Sequence, residues 1–288
     1  MNKVIQFPLV RILIAILIVG ASLLIGQSLL SLARAALSIT DRGIANVLAF
    51  LLITPLTYFA YRLYVHYVEK RNMTELGGWR AAQEFGLGSL LGFGLFSFII
   101  AMLWLLGVYR VSGFSLVWLS LIGALLGAFV SGFVQELIFR AVIYRIAEEW
   151  LGTWWAVGIS AILFGLLHLT SAGATIYSAL AVALQAGILL GAAYALTHRL
   201  WMALGIHVAW DFANDGIFGV GVAGQTGQSL HGLLQAHLSG PALLTGGAFG
   251  VEVSIVSFVV LLIAGILLLR AAHRTRRFAS RKYVVATS

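Results

Sequence analysis

In a chain this apolar, Glu136, His168, His207 and Asp211 are the side chains whose types and spacing could move protons. Glu136 and Arg140 stand four apart in Gln135-Glu136-Leu137-Ile138-Phe139-Arg140, so on a helix they share a face and can pair. His207 and Asp211 have the same spacing, and there the carboxylate can orient the imidazole or face a cavity with it. His168 closes the run Phe164-Gly165-Leu166-Leu167-His168. Two carboxylates and two imidazoles in one polar cavity could activate water for hydrolysis or relay protons. The same set could bind a divalent metal such as zinc. The 288 residues include no cysteine and no His-Glu-x-x-His helix, so a zinc site would need His and carboxylate ligands. Each patch also has a purely structural reading, as an ion pair or an interhelical hydrogen bond, and spacing does not choose among these.

The elements that must position these groups are membrane spans. The chain is 61% hydrophobic and 10% charged, whereas a soluble domain runs near 45–50% apolar and about 25% charged. Such a composition has too little polar surface for a water-facing exterior. Apolar runs lie near 12–32, 44–65, 86–108, 114–139, 154–170, 175–197, 201–222 and 249–269. Each is long enough, or nearly so, to cross a hydrocarbon core of about 30 Å as a helix. The expected fold is all-α, a polytopic membrane protein of about eight transmembrane helices around a polar cavity. Of the ten acids, Asp41, Glu69, Glu75, Glu84, Glu148, Glu149 and Glu252 fall in loops or at ends, leaving Glu136, Asp211 and Asp215 within or at the margin of spans. Ionisable groups at bilayer depth mark functional sites by default. At 1.5 Å per residue, Glu136, His168 and Asp211 come out at roughly 18, 22 and 16 Å from one membrane face, and His207 at roughly 10 Å. They can therefore converge, provided the fourth helix is long, tilted or kinked. In that arrangement Arg145 must snorkel or face a wet cavity.

Lys and Arg in the short connections set the orientation. With both termini cytoplasmic, 15 of the 18 basic residues lie inside and only Arg34, Arg42 and Arg110 outside. The net charge of +8 is then topogenic, and no nucleic-acid partner is needed to account for it. This predicts a multi-pass protein of the cell membrane with a cytoplasmic C-terminus, whose last basic run, Arg270 to Lys282, favours anionic lipid. The first span ends in Leu32-Ala33-Arg34-Ala35, similar to a signal-peptidase site, but its apolar stretch exceeds a usual signal core. Asp215 to Gly250 reads as a glycine-rich extracytoplasmic loop without a phosphate-loop pattern. No internal repeat is present, which counts against a transporter built of inverted repeats. The chain divides into 1–110, the first three spans; 111–222, the site-bearing helices; and 223–288, the glycine-rich loop, last span and basic tail.

Gln135-Glu136-x-x-x-Arg140, Phe164-x-x-x-His168 and His207-x-x-x-Asp211, in this order on successive helices, resemble the motifs of the CPBP family, which comprises CAAX prenyl proteases of the Ras-converting-enzyme type and bacterial relatives linked to bacteriocin processing or self-immunity. The resemblance spans about residues 115–222. It implies an intramembrane endopeptidase acting on a membrane-associated peptide, prenylated or a leader. Within it His168 would assist an attacking water, and His207 with Asp211 would stabilise an oxyanion. The chain departs from the pattern at Gln135, which stands where the family carries the first Glu of a pair. An amide cannot take a proton from water. Glu136 is then the base expected by resemblance, with Gln135 and Arg140 supporting. The metal stays open: none, or a divalent ion such as zinc. The alternative is a family member that keeps the cavity but binds or protects a partner.

Overall fold

The computed structural model describes residues 4–221 and 232–279. Seven of its helices are long and apolar enough to cross a membrane, and the chain is a multi-pass, all-α membrane protein. The first three are α1 (Pro8–Ala36), α2 (Arg42–Tyr64, prolonged by a π turn to Glu69) and α3 (Ala81–Leu105). Next, α4 (Trp118–Glu136) runs through a π-helical stretch, Leu137–Tyr144, into α5 (Arg145–Leu151). Then come α6 (Thr153–Leu167, with a 3-10 turn to Thr170) and α7 (Ile176–Val182), which continues through a π segment, Ala183–Gly187, into α8 (Ile188–Thr197). The eighth expected span is α9 (Leu200–Phe212, with a π turn to Ile217). It is short and carries His207, Asp211 and Asp215, so it falls outside the seven. It packs against α3, α4 and α8 rather than facing outward, and most of its residues are buried.

Two features go beyond the sequence reading. Apolar sequence near 109–117 and 233–239 does not extend helices but pairs as a two-stranded antiparallel sheet, β1 (Tyr109–Phe114) with β2 (Leu234–Leu238). After it, the short α10 (Ala242–Thr245) and a 3-10 turn, Val251–Val253, lead into α11 (Ile255–Arg274). The segment from Asp215 to Gly250, expected to be a glycine-rich loop or in part re-entrant, carries β2 and α10; its residues 222–231, like Arg281 and Lys282 of the basic tail, lie outside the described residues.

The bundle is clamped at the end where α1 begins. Glu69 receives Arg11 (2.5 Å), Arg71 (2.6 Å) and Arg145 (2.6 Å), and Arg71 also holds Glu75 at 2.7 Å. Glu75 further accepts from the Tyr61 hydroxyl. Burial alone would raise the Glu75 carboxyl, but the Arg71 guanidinium outweighs it and holds the group below the usual carboxylate range. Arg145, expected to snorkel or face a wet cavity, is buried and ion-paired to Glu69 and Glu149. The same end gathers the tail of α11, where Thr153 and Ala279 exchange hydrogen bonds of 3.2 and 2.8 Å. The start of α1 and the end of α11 thus share one side, as an even number of crossings requires.

Candidate active site

Four elements build the site, and π-helical widening shapes two of them. Glu136 ends α4, and the next residues wind as a π-helix, a form that recurs at functional sites because it re-aims side chains and loosens carbonyls. Glu136 Oε1 accepts from Arg140 Nη1 at 3.0 Å, with both side chains 0% exposed. Arg140 also donates to the Gly187 carbonyl at 3.2 Å, on the π segment before α8, and its guanidinium lies 4.6 Å over the Phe164 ring of α6. A charge this deep is tolerated because hydrogen bonds and an aromatic face replace its water.

The same Glu136 oxygen meets His207 Nδ1 of α9 at 2.8 Å. His207 Nε2 lies 3.6 Å from Asp211 Oδ2, beyond good hydrogen-bond reach, so an N–H there keeps its capacity for another acceptor. His168, at the end of α6, places Nδ1 2.8 Å from the Phe164 carbonyl. That contact requires Nδ1 to be the donor, which in the neutral ring leaves Nε2 with its lone pair. The Phe164 ring touches both imidazoles, with centroids 4.8 Å from His168 and 6.0 Å from His207.

A cavity of about 220 Å³ opens on this cluster. Gln135, His168, His207 and Asp211 all line it. Glu136 does not: it is fully buried behind the lining, shared between Arg140 and His207. Adjacent helical residues project about 100° apart, and here that angle turns Gln135 to the cavity and Glu136 away from it. The six residues singled out by sequence thus come together, with the carboxylate and the amide on different sides of the wall. Gln135 Nε2 and Ser131 Oγ are 2.9 Å apart.

Sequence reasoning missed a second carboxylate. Glu252, placed in a loop by its position before the last apolar run, lines the same cavity from the turn ahead of α11. It accepts from Trp210 Nε1 (3.1 Å) and Asn214 Nδ2 (3.2 Å), while its carbonyl accepts from Gln185 Nε2 (2.5 Å). The only signal in the sequence was an acid two residues ahead of an N-capping Ser254 at the mouth of a span.

Among the described residues no three His, Asp or Glu side chains are grouped to hold a metal ion.

Residues 116–213 match the family model of type II CAAX prenyl endopeptidase Rce1-like proteins. The chain carries an Rce1-like segment. This segment runs from just before α4 into the π turn after α9, and so holds Gln135, Glu136, Arg140, His168, His207 and Asp211. The Rce1-like match is to a peptidase family, consistent with the resemblance drawn from the three motifs. Glu252 and the turn that carries it lie outside the Rce1-like segment. The chain matches no curated protein and no solved structure.

Proposed function

We propose that the protein is an intramembrane endopeptidase of CAAX-protease type that hydrolyses a peptide bond in a membrane-associated peptide, in a cell membrane and with its C-terminus cytoplasmic. The observation that carries this reading is the pair of unlike imidazoles on one cavity wall: His168 with a free Nε2 lone pair, and His207 held by Glu136. A water in the cavity transfers a proton to His168 Nε2 as its oxygen bonds to the substrate carbonyl carbon. His207 Nε2–H donates to the oxygen that becomes negative, and the His168 proton then passes to the leaving nitrogen as the C–N bond breaks. In this proposal Glu136 is a positioning residue: it fixes the His207 ring by accepting from Nδ1 and places a carboxylate beside the imidazolium that donates through Nε2. Arg140 locks Glu136 in turn.

The test is cleavage of a quenched fluorogenic peptide by the full chain in nanodiscs. His168→Ala should lower kcat by about 10²-fold or more, the usual contribution of a general base. Glu136→Gln should lower kcat less and move the pH profile of kcat, a change that loss of packing alone would not cause. Gln135→Glu, which adds a carboxylate to the cavity wall, should raise the rate. Cleavage that survives His168→Ala overturns the assignment. One observation favours the second reading, a binding or immunity protein: the residue that faces the cavity at the end of α4 is the neutral Gln135. That reading predicts no cleavage by the wild type on any peptide.

A further inference from the structure

Hydrolysis as proposed makes no use of the wall opposite in chemistry to the histidines, the one built by Glu252 and Gln185. This wall is rigidly held. Ser254 Oγ accepts from Ser257 N (3.1 Å) and Ser257 Oγ donates to the Val251 carbonyl (2.6 Å), both serines being fully buried, so the turn bearing Glu252 is fastened to the first turn of α11. Gln185, 1% exposed, ties the same turn to the π segment through its bond to the Glu252 carbonyl. Because that partner is a carbonyl, the bonded atom must be the amide nitrogen, which fixes the orientation of the group. Among the described residues, Gln185 Oε1 is left without a hydrogen-bond partner.

Among the described residues the cavity is lined by two carboxylates, Asp211 and Glu252, and by no Lys or Arg; His207 stands 3.6 Å from Asp211, so Glu252 is the carboxylate on the side away from the imidazoles. Buried acceptors without donors are costly and are found where a ligand or water supplies the missing protons. The lining also has an aliphatic side, including Leu189, Leu190 and Leu261, which suits the methylene stem of a long basic side chain. We infer that the cavity binds a cationic side chain, Lys or Arg, of its peptide ligand, with Glu252 as the residue that determines this specificity. This rests on the cavity being the peptide site named above, but not on its cleaving what it binds.

Two labelled apolar peptides that differ only in a central Lys or norleucine test it, by equilibrium binding to the full chain in nanodiscs with mass spectrometry on the recovered peptide. The Lys peptide should bind about tenfold tighter, the scale of one charge-assisted contact. Glu252→Gln keeps an oxygen for Trp210 and Asn214 and should bring the two peptides to within about twofold of each other. Equal affinity of the two peptides for the wild type overturns the inference without need of any variant. A Lys preference that survives Glu252→Gln overturns it as well. A Lys preference with no cleavage leaves this inference standing and removes the peptidase reading, whereas cleavage without preference does the reverse.

Discussion

Glu136 accepts through a single oxygen from both Arg140 and His207, and its other oxygen has no partner among the described residues. The group is thus committed on one side and cannot lose a donor cheaply. Removing one member of a fully buried pair leaves an uncompensated charge, a loss of about 3–5 kcal/mol, whereas replacing both by apolar residues is often close to neutral. Arg140→Met should therefore destabilise the protein by about 3–5 kcal/mol, and Glu136→Leu with Arg140→Met should recover much of that. Unfolding followed by denaturant titration in detergent checks both. A double variant as unstable as the sum of its parts would show that the pair is not coupled. At this scale the sequence was informative where spacing fixes geometry: residues four apart on a helix must meet, and Glu136 with Arg140 and His207 with Asp211 do. It was silent where contact depends on tertiary packing. The contact between His207 and Glu136 joins residues 71 apart, and Glu252 enters the cavity from a turn that composition marks only as a loop.

Among the elements, α9 is the one that the bundle must protect, since it brings His207 and Asp211 into an apolar interior. Without a hydrophobic driving force between helices in lipid, close approach of backbones through small residues supplies the packing. α3 does this with Gly88 and Gly92, and α9 answers with Gly205: a methyl group on Gly88 would run into the Met202 carbonyl, on Gly92 into the Ile206 carbonyl, and on Gly205 into the Phe85 carbonyl. Gly94, on the same helix, has open space where its methyl would go. Gly92→Ala should then cost about 1–3 kcal/mol, as overpacking does, while Gly94→Ala should leave stability unchanged. Thermal unfolding of the two variants side by side checks this, and equal effects would place the α3–α9 contact elsewhere. The helices themselves were readable as apolar runs, because length and hydropathy are local. The π segments were not: they arise where backbone bonds yield to side chains such as Arg140, and no single-residue pattern encodes that. The strands β1 and β2 were hidden for the same reason, as their pairing joins Tyr109 to Leu238 across the whole run from α4 to α9.

For the molecule as a whole, the charged residues divide by end. The end at which α1 begins holds Arg11, Glu69, Arg71, Glu75, Arg145 and Glu149 in one ion-paired cluster, with Arg199 paired to Glu84 near it. The opposite end carries the β1–β2 sheet and the turn of Glu252. In the orientation proposed above, Lys and Arg are retained on the cytoplasmic side and the clustered end is the cytoplasmic one. That orientation would put the sheet, and the turn that brings Glu252 to the cavity, on the far side of the membrane. The absence of cysteine from all 288 residues makes the wild type its own background for labelling. Thr74, exposed near the clustered end, and Ser239, exposed beside the sheet, are suitable positions. A membrane-impermeant maleimide added to intact cells should label Ser239→Cys and should reach Thr74→Cys only after permeabilisation. The opposite pattern would reverse the topology and put the Glu252 turn on the cytoplasmic side. Labelling of both in intact cells would mean that the spans do not separate the two ends.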